Sequence, residues 1–213
     1  MGKAGKEQNM ENRKMKESCK MNKKLEVKDL IAMGIFSAIY IVVFLAVIMV
    51  SGLVPVVYLF SGAIGAVVLG TVYMLYLSKV GKRFSVLILG VIFTTLLGAQ
   101  VGVWTMFVTG YSMAILAELI ASKGKYKSFT LNMVSFIFFS FMPFGVYGAF
   151  WLLRDTMLES AKVYGEAHAQ RLSELTTTPM LFALIAATIA GAIIGAYIGK
   201  KLLKRHFKKS GIV

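Results

Sequence analysis

Six long apolar stretches follow one another along this chain, at residues 28–50, 55–78, 84–99, 103–121, 127–153 and 179–200. An apolar run of about 20 residues crosses the hydrocarbon core of a bilayer as a helix. Backbone groups cannot go unpaired in lipid, so such runs are helices unless they close as a barrel, and these lack the alternation of barrel strands. The positive charge sorts with the breaks. Of 24 Lys and Arg, 9 lie in the tail from Lys3 to Lys28 and 6 follow the last stretch, from Lys200 to Lys209. Lys79, Lys82 and Arg83 sit between the second and third stretches, and Lys123, Lys125 and Lys127 between the fourth and fifth. The other side holds only Arg154, Lys162 and Arg171, beside Asp155, Glu159, Glu166 and Glu174. Excess Lys and Arg marks the cytoplasmic side. The expected fold is therefore an all-α integral membrane protein, a compact bundle of six transmembrane helices with both termini cytoplasmic. One span more or fewer would scramble the alternation.

A mean hydropathy of +0.72 and 57% hydrophobic residues leave no room for a water-soluble domain of useful size. Three parts are expected: a basic tail at 1–27 without a fold, the transmembrane domain at 28–205, and a basic tail at 206–213. The tail 1–27 has too long a charged part, and no small-residue site after it, for a cleaved signal peptide. A net charge of +14 reads as topology and contact with anionic lipid, not as nucleic-acid binding. Cys19 is the single cysteine, so neither an internal disulfide nor a CxxC metal site is available.

Catalytic signatures are missing. There is no GxxxxGK[ST] phosphate loop and no HExxH, and His168 and His206 fall on opposite sides in this topology. No enzyme activity, cofactor or metal is expected. Beyond Asp29 at the very start of the first stretch, Glu118 is the one acid inside an apolar stretch; it reads as a helix-end ion pair with Lys123, a snorkelling residue or a docking contact. With no acid or histidine at the membrane centre, the relay of an ion-coupled carrier is absent, as is the polar ring of a channel filter. Asn132 reads as an interhelical hydrogen bond.

Small residues recur at four-residue spacing, which places them on one helix face and lets helices approach closely. Gly62, Ala66 and Gly70 form one such face, and Gly191, Gly195 and Gly199 another; both fit packing within the bundle or contacts in an oligomer. Gly34 and Ala38 form a third, with Ala32 offset, which fits internal packing or docking of a partner helix.

The outer ends hold the polar and aromatic groups. Tyr58 begins the second stretch, Gln100, Trp104 and Thr105 border the fourth, and Tyr147, Trp151, Arg154 and Asp155 end the fifth. Tyr and Trp at this depth fit membrane anchors, but aromatic walls with a few placed polar groups also make a small-ligand pocket. Arg154 could serve an anionic or carbonyl-bearing group of a ligand, or pair locally with Asp155. The candidate site is Gln100, Trp104, Tyr147, Trp151 and Arg154, covered by residues 156–178. In that cover Leu153, Met157, Ala161, Tyr164 and His168 recur at helical steps, and Pro179 suits a helix start.

Three stretches carry a resemblance: KDLIAMGIFSAIY from Lys28, YLFSGAIGAVVLGTVYMLY from Tyr58, and the basic GKKLLKRHFKK from Gly199. From Lys28 to Lys209 the chain resembles the Trep_Strep family of strongly hydrophobic membrane proteins. More broadly it resembles the substrate-binding S components of energy-coupling factor (ECF) transporters. That resemblance implies a plasma-membrane subunit that captures a micronutrient outside and docks on a transmembrane subunit bearing two ATPases. It implies Ala32, Gly34 and Ala38 as the docking strip, in a form that departs from the usual AxxxA pattern. It does not name the substrate. The competing readings are a membrane structural or assembly protein without a ligand, and a membrane enzyme or stand-alone secondary carrier.

Overall fold

The computed structural model describes residues 26–209, with side chains through Arg205; Cys19, the tail before Glu26 and the His206 side chain lie outside the described residues. Within them the chain is helical throughout. The long helices are α1 (Val27–Ser51), α2 (Pro55–Lys79), α3 (Ser85–Val101), α4 (Trp104–Lys123), α5 (Phe129–Ser140) and α10 (Thr178–Lys209). Between α5 and α10 lie the short α6 (Phe144–Tyr147), α7 (Ala149–Leu152), α8 (Arg154–Ala161) and α9 (Glu166–Leu175), with a 3-10 turn at Lys162–Tyr164. Five helices are long and apolar enough to cross a membrane, the fifth of the chain being counted as Phe129–Leu152; α3 is apolar but shorter, at 17 residues. At 1.5 Å per residue α3 reaches about 26 Å, slightly less than the roughly 30 Å hydrocarbon core. The last helix does not stop at the expected boundary but continues through Lys209.

The long helices close a ring in the order α1, α2, α10, α5, α4, α3, with α2 also touching α5 across it. Glycine decides the tightest contact. A Cβ at Gly70 would lie 2.3 Å from the Gly195 carbonyl carbon, and one at Gly195 would lie 2.3 Å from the Ala66 oxygen. A Cβ at Gly191 would meet the Ala63 oxygen at 2.5 Å. The small-residue faces of α2 and α10 thus pack on each other inside one chain. The α1 strip behaves differently: Gly34 and Ala38 are exposed, nothing lies within 4 Å of a Cβ at Gly34, and Ala32 is half-buried.

An aromatic core fills the ring. Tyr40 meets Phe93 and Phe139 edge-on at 5.5 and 5.4 Å, and Phe44 meets Phe93 at 4.9 Å. The Tyr73 hydroxyl bonds Ser135 Oγ at 2.7 Å, and Ser135 Oγ donates to the Ala117 carbonyl, which ties α2, α5 and α4 together.

The expected continuous fifth helix is interrupted. Pro143 has no N–H to give, and residues 141–145 fall back on three-residue bonds such as Phe141 N to Phe138 O at 3.1 Å and Gly145 N to Met142 O at 3.2 Å. Gly145 lets α4 press in: its Cβ would lie 2.6 Å from Met106 Cα, and its carbonyl accepts from Thr105 Oγ1 at 2.6 Å.

Glu118 does not make the ion pair with Lys123 that its sequence position suggests. It is 6% exposed, and its carboxylate accepts the N–H groups of Phe84 (2.8 Å), Val86 (3.0 Å) and Leu87 (3.2 Å), and the hydroxyl of Tyr126. The first N–H groups of a helix have no internal partner and favour negative charge. Phe84 precedes α3 in the left-handed region, with no side-chain cap of its own, so an acid from α4 supplies the cap. Tyr126 sits in the α4–α5 connection, where Lys125 and Tyr126 both have positive φ, 49° and 58°. Burial, and then the Glu118 carboxylate, push its phenol well above the ordinary range, so it stays a donor. Asn132 Nδ2 donates to the Tyr126 carbonyl at 2.9 Å, so it braces this turn and not a distant helix.

Candidate functional site

At the end of the ring opposite the basic connections, the mouths of the helices do not meet. The end of α1 (Phe44, Ile48), the start of α2 (Tyr58) and the end of α3 (Leu97, Gln100) surround a space of about 270 Å³. Its floor is Met106 and the interrupted fifth helix, through Pro143, Val146, Tyr147 and Phe150. The break in that helix is what brings Pro143 and Tyr147 to the same surface.

The connection after α7 folds back over this space. The expected amphipathic helix is split in two at Gly165, whose φ of 106° and ψ of 148° suit glycine almost alone. The two pieces form a helical hairpin, and Met157, Ser160, Ala161, Tyr164, His168 and Leu172 face the cavity from above. Met157, Ala161 and Leu172 are buried, while Tyr164 is 70% exposed and stacks at 5.5 Å on the His168 ring. Apolar burial holds the hairpin in place from below.

Its far leg is fastened by two residues. Arg154 donates to Ser173 O (2.7 Å), Ser173 Oγ (2.8 Å), Thr176 Oγ1 (2.9 Å) and Thr176 O (3.2 Å). Trp151 Nε1 donates to the Thr177 carbonyl at 3.1 Å. The planar guanidinium, with donors fixed in a fork, suits such a four-point contact.

Of the residues the sequence singles out here, Gln100 and Tyr147 line the cavity. Trp151 and Arg154 face the end of α9 and the residues after it, and the guanidinium is directed at Ser173 and Thr176, not at Asp155. Trp104 is 57% exposed on the outside of α4 and does not line the space. Tyr147 is fixed from within: its hydroxyl bonds Ser61 Oγ at 2.6 Å, and Ser61 Oγ contacts the Tyr58 carbonyl at 2.6 Å. Tyr58 packs edge-on against Tyr147 at 5.8 Å and Phe150 at 6.3 Å. Ser61, Ser173 and Thr176 carry no sequence signal for these roles; Ser61 lies 86 residues from Tyr147. The cavity wall therefore has aromatic faces, a few hydrogen-bonding groups and no Asp, Glu, Lys or Arg. No group of three or more His, Cys, Asp or Glu able to hold a metal occurs among the described residues.

The model of a family of hypothetical bacterial integral membrane proteins, Trep_Strep, matches residues 27–209. The chain belongs to the Trep_Strep family. Its boundaries coincide with α1 to α10, so the whole helical ring with its cap is the family's domain. The Trep_Strep description gives membrane residence and no activity. No curated protein and no solved structure matches the chain.

Proposed function

We propose that this chain is the substrate-capture subunit of an ECF-type uptake transporter. In this reading it spans the plasma membrane six times, with both termini cytoplasmic and the capped cavity outside. The observation that carries the reading is that cavity: a space of about 270 Å³, walled by aromatic side chains and closed by a hairpin held on a few polar bonds. Ligand sites are concave and mostly apolar, with few placed polar groups, and occupy roughly 300–1,000 Å³ for drug-sized molecules. A space just below that range, with no Asp, Glu, Lys or Arg on its wall, suits a small, uncharged, flat molecule. Tyr58, Tyr147 and Phe150 offer ring faces and edges, and Gln100, Ser160 and His168 offer hydrogen bonds. Arg154 and Trp151 then act on the ligand through the cap. The energy for uptake comes from a partner: a transmembrane subunit with two ATPases, docked on the exposed Gly34 and Ala38 face of α1.

Native mass spectrometry of gently purified protein tests the capture role, with a retained small molecule expected in the native chain and lost in Tyr147→Ala. Co-purification tests the coupling role. Gly34→Trp and Ala38→Trp should each lose the ATPase-bearing complex and keep the small molecule. A native chain that retains no small molecule and brings down no ATPases supports a structural or assembly role instead.

A further inference from the structure

The end of the ring opposite the capped cavity holds a second and larger space, of about 1400 Å³. Three separate segments bring cations to it. Lys82 and Arg83 come from the α2–α3 connection, Lys125 and Lys127 from the α4–α5 connection, and Lys200 and Lys204 from α10. With Lys79 at the end of α2 the lining has seven cations and no acid. Of the nearby acids, Asp29 pairs with Lys82 at 2.5 Å and offsets one of the seven, and Glu118 caps α3, which leaves the lining strongly positive. Positive charge gathered this densely raises its own repulsion, and a bound anion relieves it.

The floor is of a different kind. Met74, Leu77, Val80 and Leu203 are apolar, and Phe129 stands at the side with Lys200 Nζ 3.9 Å above its ring. A free inorganic anion has no use for such a floor, whereas a lipid carries a charged head on an apolar body. The basin also lies at the ends of apolar helices, the depth of a headgroup layer. Basic pockets between membrane helices are the usual seats of anionic phospholipids.

Two further details point to a built site. Lys125 and Tyr126 keep a left-handed backbone that L residues rarely adopt. The bonds from Tyr126 to Glu118 and from Asn132 to the Tyr126 carbonyl hold that turn, and with it Lys125 and Lys127, at the rim. Asn132 itself lines the basin and is 7% exposed, and its Oδ1 has no partner among the described residues.

We propose that this basin binds the phosphate-bearing headgroup of an anionic phospholipid, with a phosphatidylglycerol-like head as the best chemical match. The proposal does not depend on what the capped cavity holds.

The test uses the full chain, purified in detergent and stripped of lipid, and titrated with short-chain phosphatidylglycerol, short-chain phosphatidylcholine and inorganic phosphate. Saturable binding of phosphatidylglycerol, weakened by salt, is expected, with phosphatidylcholine at least tenfold weaker. Each surface cation is worth about fivefold toward anionic lipid, so the triple variant Lys125→Gln, Lys127→Gln, Lys204→Gln should weaken it on the order of a hundredfold. All three side chains are exposed, and a monodisperse elution profile checks that the fold survives. The pair Lys162→Gln, Arg171→Gln removes charge at the other end and should leave binding within about twofold. Equal binding of the two lipids, or an unchanged triple variant, overturns the proposal. Displacement of phosphatidylglycerol by millimolar phosphate, with phosphate alone stabilising the protein equally, overturns the lipid in favour of a soluble anion. Binding of an acidic peptide in preference to phosphatidylglycerol overturns it in favour of a protein partner.

Discussion

Removing the Glu118 carboxylate should unseat the start of α3 and the α4–α5 turn together. The structure lets the loss be apportioned. In Glu118→Ala the N–H groups of Phe84, Val86 and Leu87 and the Tyr126 hydroxyl all lose their acceptor. Hydrogen bonds to charged groups are worth about 1.5–3 kcal/mol each, and a buried donor left alone costs about 1–3 kcal/mol. The four share one acceptor and do not add, and Phe84 and Leu87 are partly reached by solvent. We expect a loss of about 3–5 kcal/mol, in the range seen when one partner of a buried charged contact is removed. For a chain of this size about 1 kcal/mol moves the midpoint by roughly 2–4 °C, so the fall should be roughly 6–20 °C. Glu118→Gln separates charge from shape. With the amide oxygen in the place of Oε2 it still serves Val86 and Leu87, and Tyr126 can turn its hydroxyl to accept, so only Phe84 N–H goes unserved. That loss should be about 1–2 kcal/mol. The assay is the thermal midpoint of the detergent-purified protein, with deuterium uptake across 84–90 and 124–128 to localise the change. Lys123→Gln is the decisive comparison, since an ion pair with Lys123 is what the sequence spacing suggests. It should move the midpoint by less than about 2 °C. If Lys123→Gln matches Glu118→Ala, or if Glu118→Ala shifts the midpoint by under about 2 °C, the capping account is wrong.

Gly195→Leu and Gly70→Leu should both fail to give monodisperse protein, because backbone, not a movable side chain, occupies the space each new Cβ needs. Gly34→Leu should elute and melt like the native chain, because nothing stands near that position; normal yields of the first two variants would refute the packing. Arg154→Ala removes four bonds to the cap, partly replaced by water, so a loosening of about 1–2 kcal/mol is expected. Deuterium uptake in 166–176 should then rise roughly five- to thirtyfold, with no change in α2 or α10; unchanged uptake would show that apolar burial alone holds the cap. For the membrane orientation, a single cysteine placed within 158–170 should react with an impermeant reagent from outside intact cells, and reaction only from the cytoplasmic side would reverse the proposed topology.

The helical ring was largely legible in the sequence, because hydrophobic runs and their breaks are local features. The expected 55–78 became Pro55–Lys79, and 179–200 begins one residue earlier at Thr178. Local signals also found the glycine faces of α2 and α10, though spacing alone could not say that they face each other. What stayed hidden depends on pairs far apart in the chain. Glu118 is read by its neighbours as a partner of Lys123, yet it bonds Phe84, Val86 and Leu87, more than 30 residues before it. The break at Phe141–Pro143 was signalled by Pro143, but an apolar run from 127 to 153 masks it.

The same limit shaped the candidate site, and Arg154 shows how. At the end of a span, beside Trp151, a guanidinium looks like a ligand contact, because sequence cannot show that Ser173 and Thr176 come back to meet it. Once its donors are turned to the cap, no permanent charge remains on the cavity wall. Of the two ligand chemistries suggested by the sequence, an anionic group and a carbonyl, that leaves the anionic one without its partner. An anionic group placed there would lose its hydration and meet no Lys or Arg, and burying an unpaired charge is among the costliest steps available. A flat neutral molecule meets no such penalty. In the proposed reading anions are matched at the strongly basic end, and the two spaces divide by charge: a neutral guest under the cap, a phosphate-bearing one among the lysines.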